Sequence, residues 1–345
     1  MTKLEIGVDT FGDRTRSADG AFLSHAQVLR DVVEQAELAD RVGLAFFAVG
    51  EHHREDFAVS APEVLLGAIA SRTKTIHLGS AVTVLSSDDP IRVFQRFSTL
   101  DAISSGRAEV ILGRGSFTES FPLFGFDLSQ YEALFEEKLD LYAKVRAGTP
   151  VTWSGQTRTP LRNQSVYPPI ERGLLRTWVG VGGSPESVVR AARHGFDLML
   201  AIIGGDSARF EPYVALYHRA LREMGKDALP VGVHSPGHLA DTDEEAKEQL
   251  WPHYFEMRKR IGAERGWPPP TRAQFDQEAG PRGALYVGAP ETVAQKIAAT
   301  AKTLSLSRFE MKYSNGTMPH AQMMRSLELL GTRVAPRVHE LLSSG

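Results

Sequence analysis

The chain has 345 residues, 42% of them apolar, a formal net charge of −3 and no cysteine. Disulfides, a thiol nucleophile and a Cys-ligated metal are therefore excluded, and a near-neutral chain without a basic block is a poor match for nucleic acid or an anionic membrane. No apolar run reaches the roughly 18 residues of a membrane span. The opening MTKLEIGVDTFG enters a strand pattern without the basic head and apolar stretch of a signal peptide, so a cytoplasmic protein is expected.

Strand-like and helix-like stretches alternate along the chain. A first strand is predicted at 4–8. Residues 25–41 carry Val28, Leu29, Val32, Val33, Ala36 and Leu38 at helical spacing, with Gly43 as the stop. Residues 44–50 form a continuous apolar run, read as a strand buried on both faces. A helix at 61–72 opens on Pro62, as first turns tolerate. Then follow a strand at 76–85, a helix at 90–104, a strand at 107–112 and a helix at 131–147. Further strands are predicted at 177–181, 197–202, 230–238 and 307–313. Helices are predicted at 186–194, 208–224, 243–261 and 319–342, the last with a break before Pro336.

Eight strands separated by helices favour a single (β/α)8 TIM barrel over 1–345, rather than a doubly wound sheet. Two intervals are too long for the repeat, giving insertions after the fourth and seventh strands at about 148–172 and 264–284. The first holds a hairpin-like stretch at 150–169. The second, ERGWPPPTRAQFDQEAGPRG at 264–283, shows no periodicity and reads as a structureless lid or surface loop.

Ligands bind parallel α/β folds at the carboxyl ends of the strands, which directs attention to four stretches. The strand at 44–50 ends in Glu51, His52 and His53. Ionisable groups there are costly to bury unless paired or used, and a neutral imidazole can exchange a proton with a ligand near pH 7. Neighbouring strand residues face opposite ways, so the two histidines do not share a metal ion and no metal is expected. LGRGS at 112–116 offers Arg114, whose planar fork suits phosphate or carboxylate, beside glycines that let a ligand approach the backbone. VGVGGSPES at 179–187 ends a strand in Gly180, Gly182 and Gly183, then starts a helix at Ser184 and Pro185. Its free N–H groups make an anion site, to which the Ser184 and Ser187 hydroxyls add, and with which Glu186 competes. GSAVTVLSSDDP at 79–90 ends an apolar strand in small residues, against which something flat can lie.

Taken in register, these stretches resemble the bacterial-luciferase-like family of flavin-dependent oxidoreductases. The resemblance is carried by VGEHH at 49–53, 74–95, 100–116, 179–187 and GAPETVAQKI at 288–297. It implies a (β/α)8 barrel, usually a homodimer, using reduced FMN and dioxygen to oxygenate a small organic substrate. The reduced flavin would come from a separate reductase or from bound NAD(P)H. It further implies that Arg114, with Ser184, Ser187 and the backbone of Gly182 and Gly183, takes the FMN phosphate. The ring would lie against a non-proline cis peptide at Ala81–Val82, and His52 would be the catalytic histidine. The luciferases' reactive cysteine and following tyrosine correspond to Gly113 and Phe117 here, so neither light emission nor a long-chain aldehyde is implied. A deazaflavin- or NAD(P)H-linked hydride transfer on the same fold, or a non-catalytic flavin-binding protein, are the competing expectations. Phe11, Phe117 and Met311 are expected to give the substrate pocket an apolar lining.

Overall fold

The structure, a computed structural model, describes residues 3–17, 19–115, 117–148 and 150–344. Ser116, the last residue of the LGRGS motif, lies outside them. The strands are β1 (Glu5–Thr10), β2 (Phe46–Val49), β3 (His77–Ser80), β4 (Thr83–Val84), β5 (Glu109–Gly113), β6 (Val151–Trp153), β7 (Leu161–Gln164), β8 (Arg176–Val181), β9 (Asp197–Ala201), β10 (Val231–Leu239), β11 (Tyr286–Gly288) and β12 (Arg308–Lys312). The helices are α1 (His25–Arg41), α2 (Pro62–Ala70), α3 (Pro90–Ile103), α4 (Ser120–Phe124), α5 (Tyr131–Arg146), α6 (Pro185–His194), α7 (Glu211–Glu223), α8 (Asp243–Arg265), α9 (Arg272–Ala279), α10 (Pro290–Leu304), α11 (His320–Leu329) and α12 (Ala335–Ser343).

The parallel sheet runs β3-β2-β1-β12-β10-β9-β8-β5-β4. A parallel bridge between Leu78 of β3 and Ala108, the residue just before β5, closes the ring. The barrel expected from the alternation is therefore present. The predicted strand at 76–85 is two short strands either side of a cis Ala81–Val82 peptide. The stretch at 150–169 contains the antiparallel pair β6 and β7.

The second long interval departs from expectation. Residues 264–283 are not structureless: α8 continues to Arg265, and α9 forms behind a capping box of Thr271 and Gln274. Reciprocal caps and the burial of Phe275 and Ala279 hold this short helix where amphipathic periodicity is weak. The break expected before Pro336 is a π-helical turn, Leu330–Val334.

Alternation along each strand fills the barrel in layers. Each of Glu5, Glu109, Arg176, Asp197 and Arg308 is the first residue of its strand, and together they plug the amino-terminal end. Arg308, 1% exposed, grips Glu109 through two bonds of 2.8 and 3.0 Å and reaches Glu5 at 2.7 Å. Buried charges cost several kcal/mol each unless paired in this way. Burial alone would raise the Glu109 carboxyl; Arg308, with help from His77, holds it far below the carboxylate range. Above this layer Phe46, Ala48, Ala81, Ile111, Trp178 and Met199 form an apolar filling distinct from the core between sheet and helices. Gly7 and Gly79 leave room for the Phe46 side chain, since a Cβ at either would sit 2.7 Å from it.

Candidate active site at the carboxyl end of the barrel

With its floor plugged, the barrel opens only at the carboxyl ends of the strands. A cavity of about 470 Å³ lies there, lined among others by His52, Ala81, Val82, Arg114 and Gly182. Five of the residues singled out in the sequence are thus brought together. Gly183, Ser184 and Ser187 do not line the cavity; they form the start of α6 just past Gly182.

The chain after β2 is fastened on both sides, by Glu51 N–H to Val82 O at 3.2 Å and His52 N–H to Val59 O at 2.9 Å. This fixes His52 among three phenylalanines. Its ring stacks on Phe57 with centroids 4.5 Å apart and meets Phe11 and Phe117 edge-on at 4.6 and 5.2 Å. Among the described residues its ring nitrogens have no hydrogen-bond partner. Burial pushes its pKa down to about 3; Asp13 opposes this, and Lys312 and Arg54 reinforce it. His52 is therefore a neutral imidazole on the cavity wall at neutral pH.

The two residues beside it have structural partners. Glu51 accepts from Val84 N–H at 3.0 Å and pairs with His53 Nε2 at 2.7 Å, so one carboxylate ties the end of β2 to β4 beyond the cis peptide. Gly113 makes room for this turn, because a Cβ there would lie 2.5 Å from a Val82 methyl.

Arg114 leaves β5 at the cavity rim, over the Tyr131 ring at 5.5 Å and paired with Glu132. Glu132 also meets Arg190 at 3.4 Å, and Arg190 lies 3.3 Å from the Ser187 hydroxyl. Arg114 and the α6 start are thus linked through two residues that the sequence reading missed. The signal was available: Arg190 stands three residues after Ser187, one helical turn on. The Ser184 oxygen caps α6 at the Ser187 N–H, while its hydroxyl donates to Glu186 at 2.7 Å. The carboxylate expected to compete at this helix start therefore does engage it.

The cavity's deep side was also missed. Glu310 lines it, fully buried, with neither carboxyl oxygen hydrogen-bonded among the described residues. Burial raises its pKa well above the usual range, against the pull of Arg308. Next to it Asp9 meets His234 Nδ1 at 2.7 Å, and Lys312 pairs with Asp13 at 2.9 Å. The sequence did carry a sign of this row, since RFEMK places a charge at every second position of β12. The same alternation corrects a further expectation: Phe11 and Phe117 line the cavity, but Met311 points outward into the core under the helices.

The roof is α8. It leaves the end of β10 behind a Thr242 cap and reaches Arg54, where Glu264 pairs at 2.9 Å. Tyr254, Met257, Arg258, Ile261 and Arg265 present one helical face to the cavity, continued by Trp267. Arg54 also holds Glu119 at 2.7 Å, and Arg260 holds Asp56 at 2.8 Å, fastening roof to rim.

A closed parallel barrel with a half-buried histidine, a cis turn and an arginine at one mouth defines a class of enzyme scaffold. Comparison with known proteins assigns it. The sequence profile of the luciferase-like monooxygenases matches residues 10–307, and the chain belongs to that family. N-acetyl-S-alkylcysteine monooxygenase of Bacillus subtilis is 32% identical over 239 residues, 65% of this chain and 66% of that protein. The fold is shared with the oxygenating constituent of 3,6-diketocamphane monooxygenase from Pseudomonas putida, solved in complex with FMN. That comparison has a TM-score of 0.78, 20% identity, and 97% and 99% of the two chains covered. It is shared also with an F420-dependent secondary alcohol dehydrogenase solved with an F420–acetone adduct, with a TM-score of 0.75, 17% identity, and the same coverage. No helix among the described residues is long and apolar enough to cross a membrane.

Proposed function

We propose that this protein is an FMN-dependent monooxygenase that oxygenates a small organic substrate in the cavity at the barrel mouth. The observation that carries the reading is His52: a neutral imidazole without a hydrogen-bond partner among the described residues, on the same cavity wall as Ala81, Val82 and Arg114.

The residues present fit the cofactor. Ala81, Val82, Ile111 and Val84 give an apolar wall for a flat ring. A Cβ at Gly182 would meet nothing within 4 Å, leaving open space between the cavity and the α6 start. Arg114 and the α6 N-terminus would hold the phosphate, with Arg190 as a second cation behind them. Glu132 and Glu186 must then yield or share these groups. Reduced FMN, when bound, supplies two electrons to dioxygen, one oxygen atom passing to substrate and the other leaving as water.

The protein's part is to hold, shield and move a proton. Phe11, Phe57 and Phe117 keep water from the His52 ring. A ring nitrogen of His52 is free to donate a hydrogen bond or accept a proton at the reacting centre. Glu51 acts at one remove, by fixing the turn between the histidine and the cis peptide. A homodimer, with reduced flavin supplied by a separate reductase or by bound NAD(P)H, completes the reading.

A deazaflavin would use the same wall and the same phosphate groups, for hydride transfer without oxygen. Anaerobic titration with reduced FMN and reduced deazaflavin side by side separates the two. Tighter saturable binding of FMN is expected; a clear preference for deazaflavin would overturn the choice of cofactor.

A further inference from the structure

Among the described residues, the cavity carries one cation without a counter-ion that the flavin reading does not use. Its acidic lining residues all have occupations. Asp13 holds Lys312 at 2.9 Å, Glu51 holds His53 at 2.7 Å, and Glu119 holds Arg54 at 2.7 Å. Glu310 is buried beside Arg308, its Oε1 3.6 Å from that guanidinium, and burial pushes its carboxyl well above the usual range. Arg114, on the β5 side, is taken by Glu132.

Arg258, on the cavity face of α8, has no carboxylate and no hydrogen bond among the described residues. What holds it is two aromatic faces, Tyr254 at 5.8 Å and Trp267 at 5.6 Å from its guanidinium carbon. Stacking of this kind orients a guanidinium and leaves its N–H edge available. On the same face Met257 and Ile261 are apolar, as are Ile203 and Phe117 elsewhere in the lining. α8 follows β10, whereas Arg114 follows β5, and β9 and β8 lie between those two strands in the ring. The two cations therefore belong to different parts of the mouth.

We infer that Arg258 anchors an anionic group of the substrate, so that the substrate class is a small organic acid with an apolar body. The carboxylate, or a sulfonate in its place, takes the N–H edge of Arg258, and the apolar body lies along Met257 and Ile261 toward His52. This rests on the reading of the cavity as the substrate chamber, and the same cation chemistry would also suit the cofactor's phosphate.

The experiment separates these sources. Binding of matched probes, phenylacetate against phenylacetamide and 4-phenylbutyrate against 4-phenylbutanamide, is measured by calorimetry on the full chain. Wild type, R258A and R258K are compared, with FMN and riboflavin titrated in parallel. At least one acid is expected to bind roughly tenfold or more tightly than its amide, the scale of one charged hydrogen bond. R258A should abolish the difference, R258K should keep part of it, and FMN affinity should stay unchanged in both. Equal binding of acid and amide, or no binding of either pair, would overturn the inference. So would a loss in R258A confined to FMN over riboflavin, which would make Arg258 a phosphate ligand. Failure of FMN to bind while the acid preference persists would sink the flavin reading and leave this one standing.

Discussion

At His52, function turns on what the ring does not touch. A histidine kept for structure usually spends a ring nitrogen on the protein, as His53 does on Glu51, at 2.7 Å, and His234 on Asp9, also at 2.7 Å. Among the described residues the His52 ring makes only ring contacts, with Phe11, Phe57 and Phe117. Replacing it with alanine is expected to cut turnover while leaving FMN affinity within a few-fold of wild type. Equal losses in both, read from steady-state rates and a flavin titration, would make the residue structural. Arg114→Ala acts on the other quantity. Losing a charged hydrogen-bond partner should weaken FMN binding by about 1.5–3 kcal/mol, roughly 10- to 150-fold, with riboflavin little affected. Unchanged FMN affinity would remove Arg114 from the phosphate site.

At the scale of elements, α8 is the roof of the cavity. Its far end is tied by Arg54 to Glu264 and by Arg260 to Asp56. The ionic contacts of Arg54 raise its own pKa, the bond to Glu264 first among the causes. Arg54→Ala should free the last two turns of α8. Faster hydrogen exchange over residues 258–267 is expected with the barrel strands unchanged; unaltered exchange there would show that packing alone holds the roof. The roof helix was legible over 243–261 but its place over the cavity was not, and within 264–283 the Thr271–Gln274 capping box was the local sign of α9. Phe275 and Ala279 are buried only because α9 packs on its neighbours, and the three prolines of WPPP mask a helix on each side. By contrast the barrel was legible, because parallel strands buried on both faces read as apolar runs between helical repeats. The rim residues His52, Arg114 and Ser184 were legible as charge or capping at strand ends. Arg190, Glu132 and the inward row Asp9, His234 and Glu310 were not, because their meaning depends on which strands become neighbours: Glu310 pairs in register with Gly7 and with His234.

For the whole molecule, a neutral histidine in the interior links stability to pH. The His52 pKa, about 3 in the fold against an ordinary imidazole value of 6.5, means that the unfolded chain binds its proton first. Its contribution to stability is complete above about pH 6.5 and is lost as pH falls toward 3, by up to about 1.4 kcal/mol per pH unit. Asp197, raised to about 6, and Glu310, raised well above its usual range, act in the opposite sense. They are common to wild type and His52→Asn and cancel in the comparison. The stability of wild type relative to His52→Asn should therefore fall between pH 7 and pH 5, as read from urea unfolding at each pH. A constant difference would mean that His52 titrates normally in the fold.

The proposed function requires the cavity to hold reduced FMN beside His52 and to set its reaction with oxygen. Stopped-flow mixing of the anaerobic protein–reduced FMN complex with oxygenated buffer tests it without a known substrate, following the flavin absorbance. A reoxidation trace distinct from that of free FMN, and altered again in His52→Ala, is the expected result. Traces for both proteins that overlay free FMN, at protein concentrations that saturate binding, would contradict it.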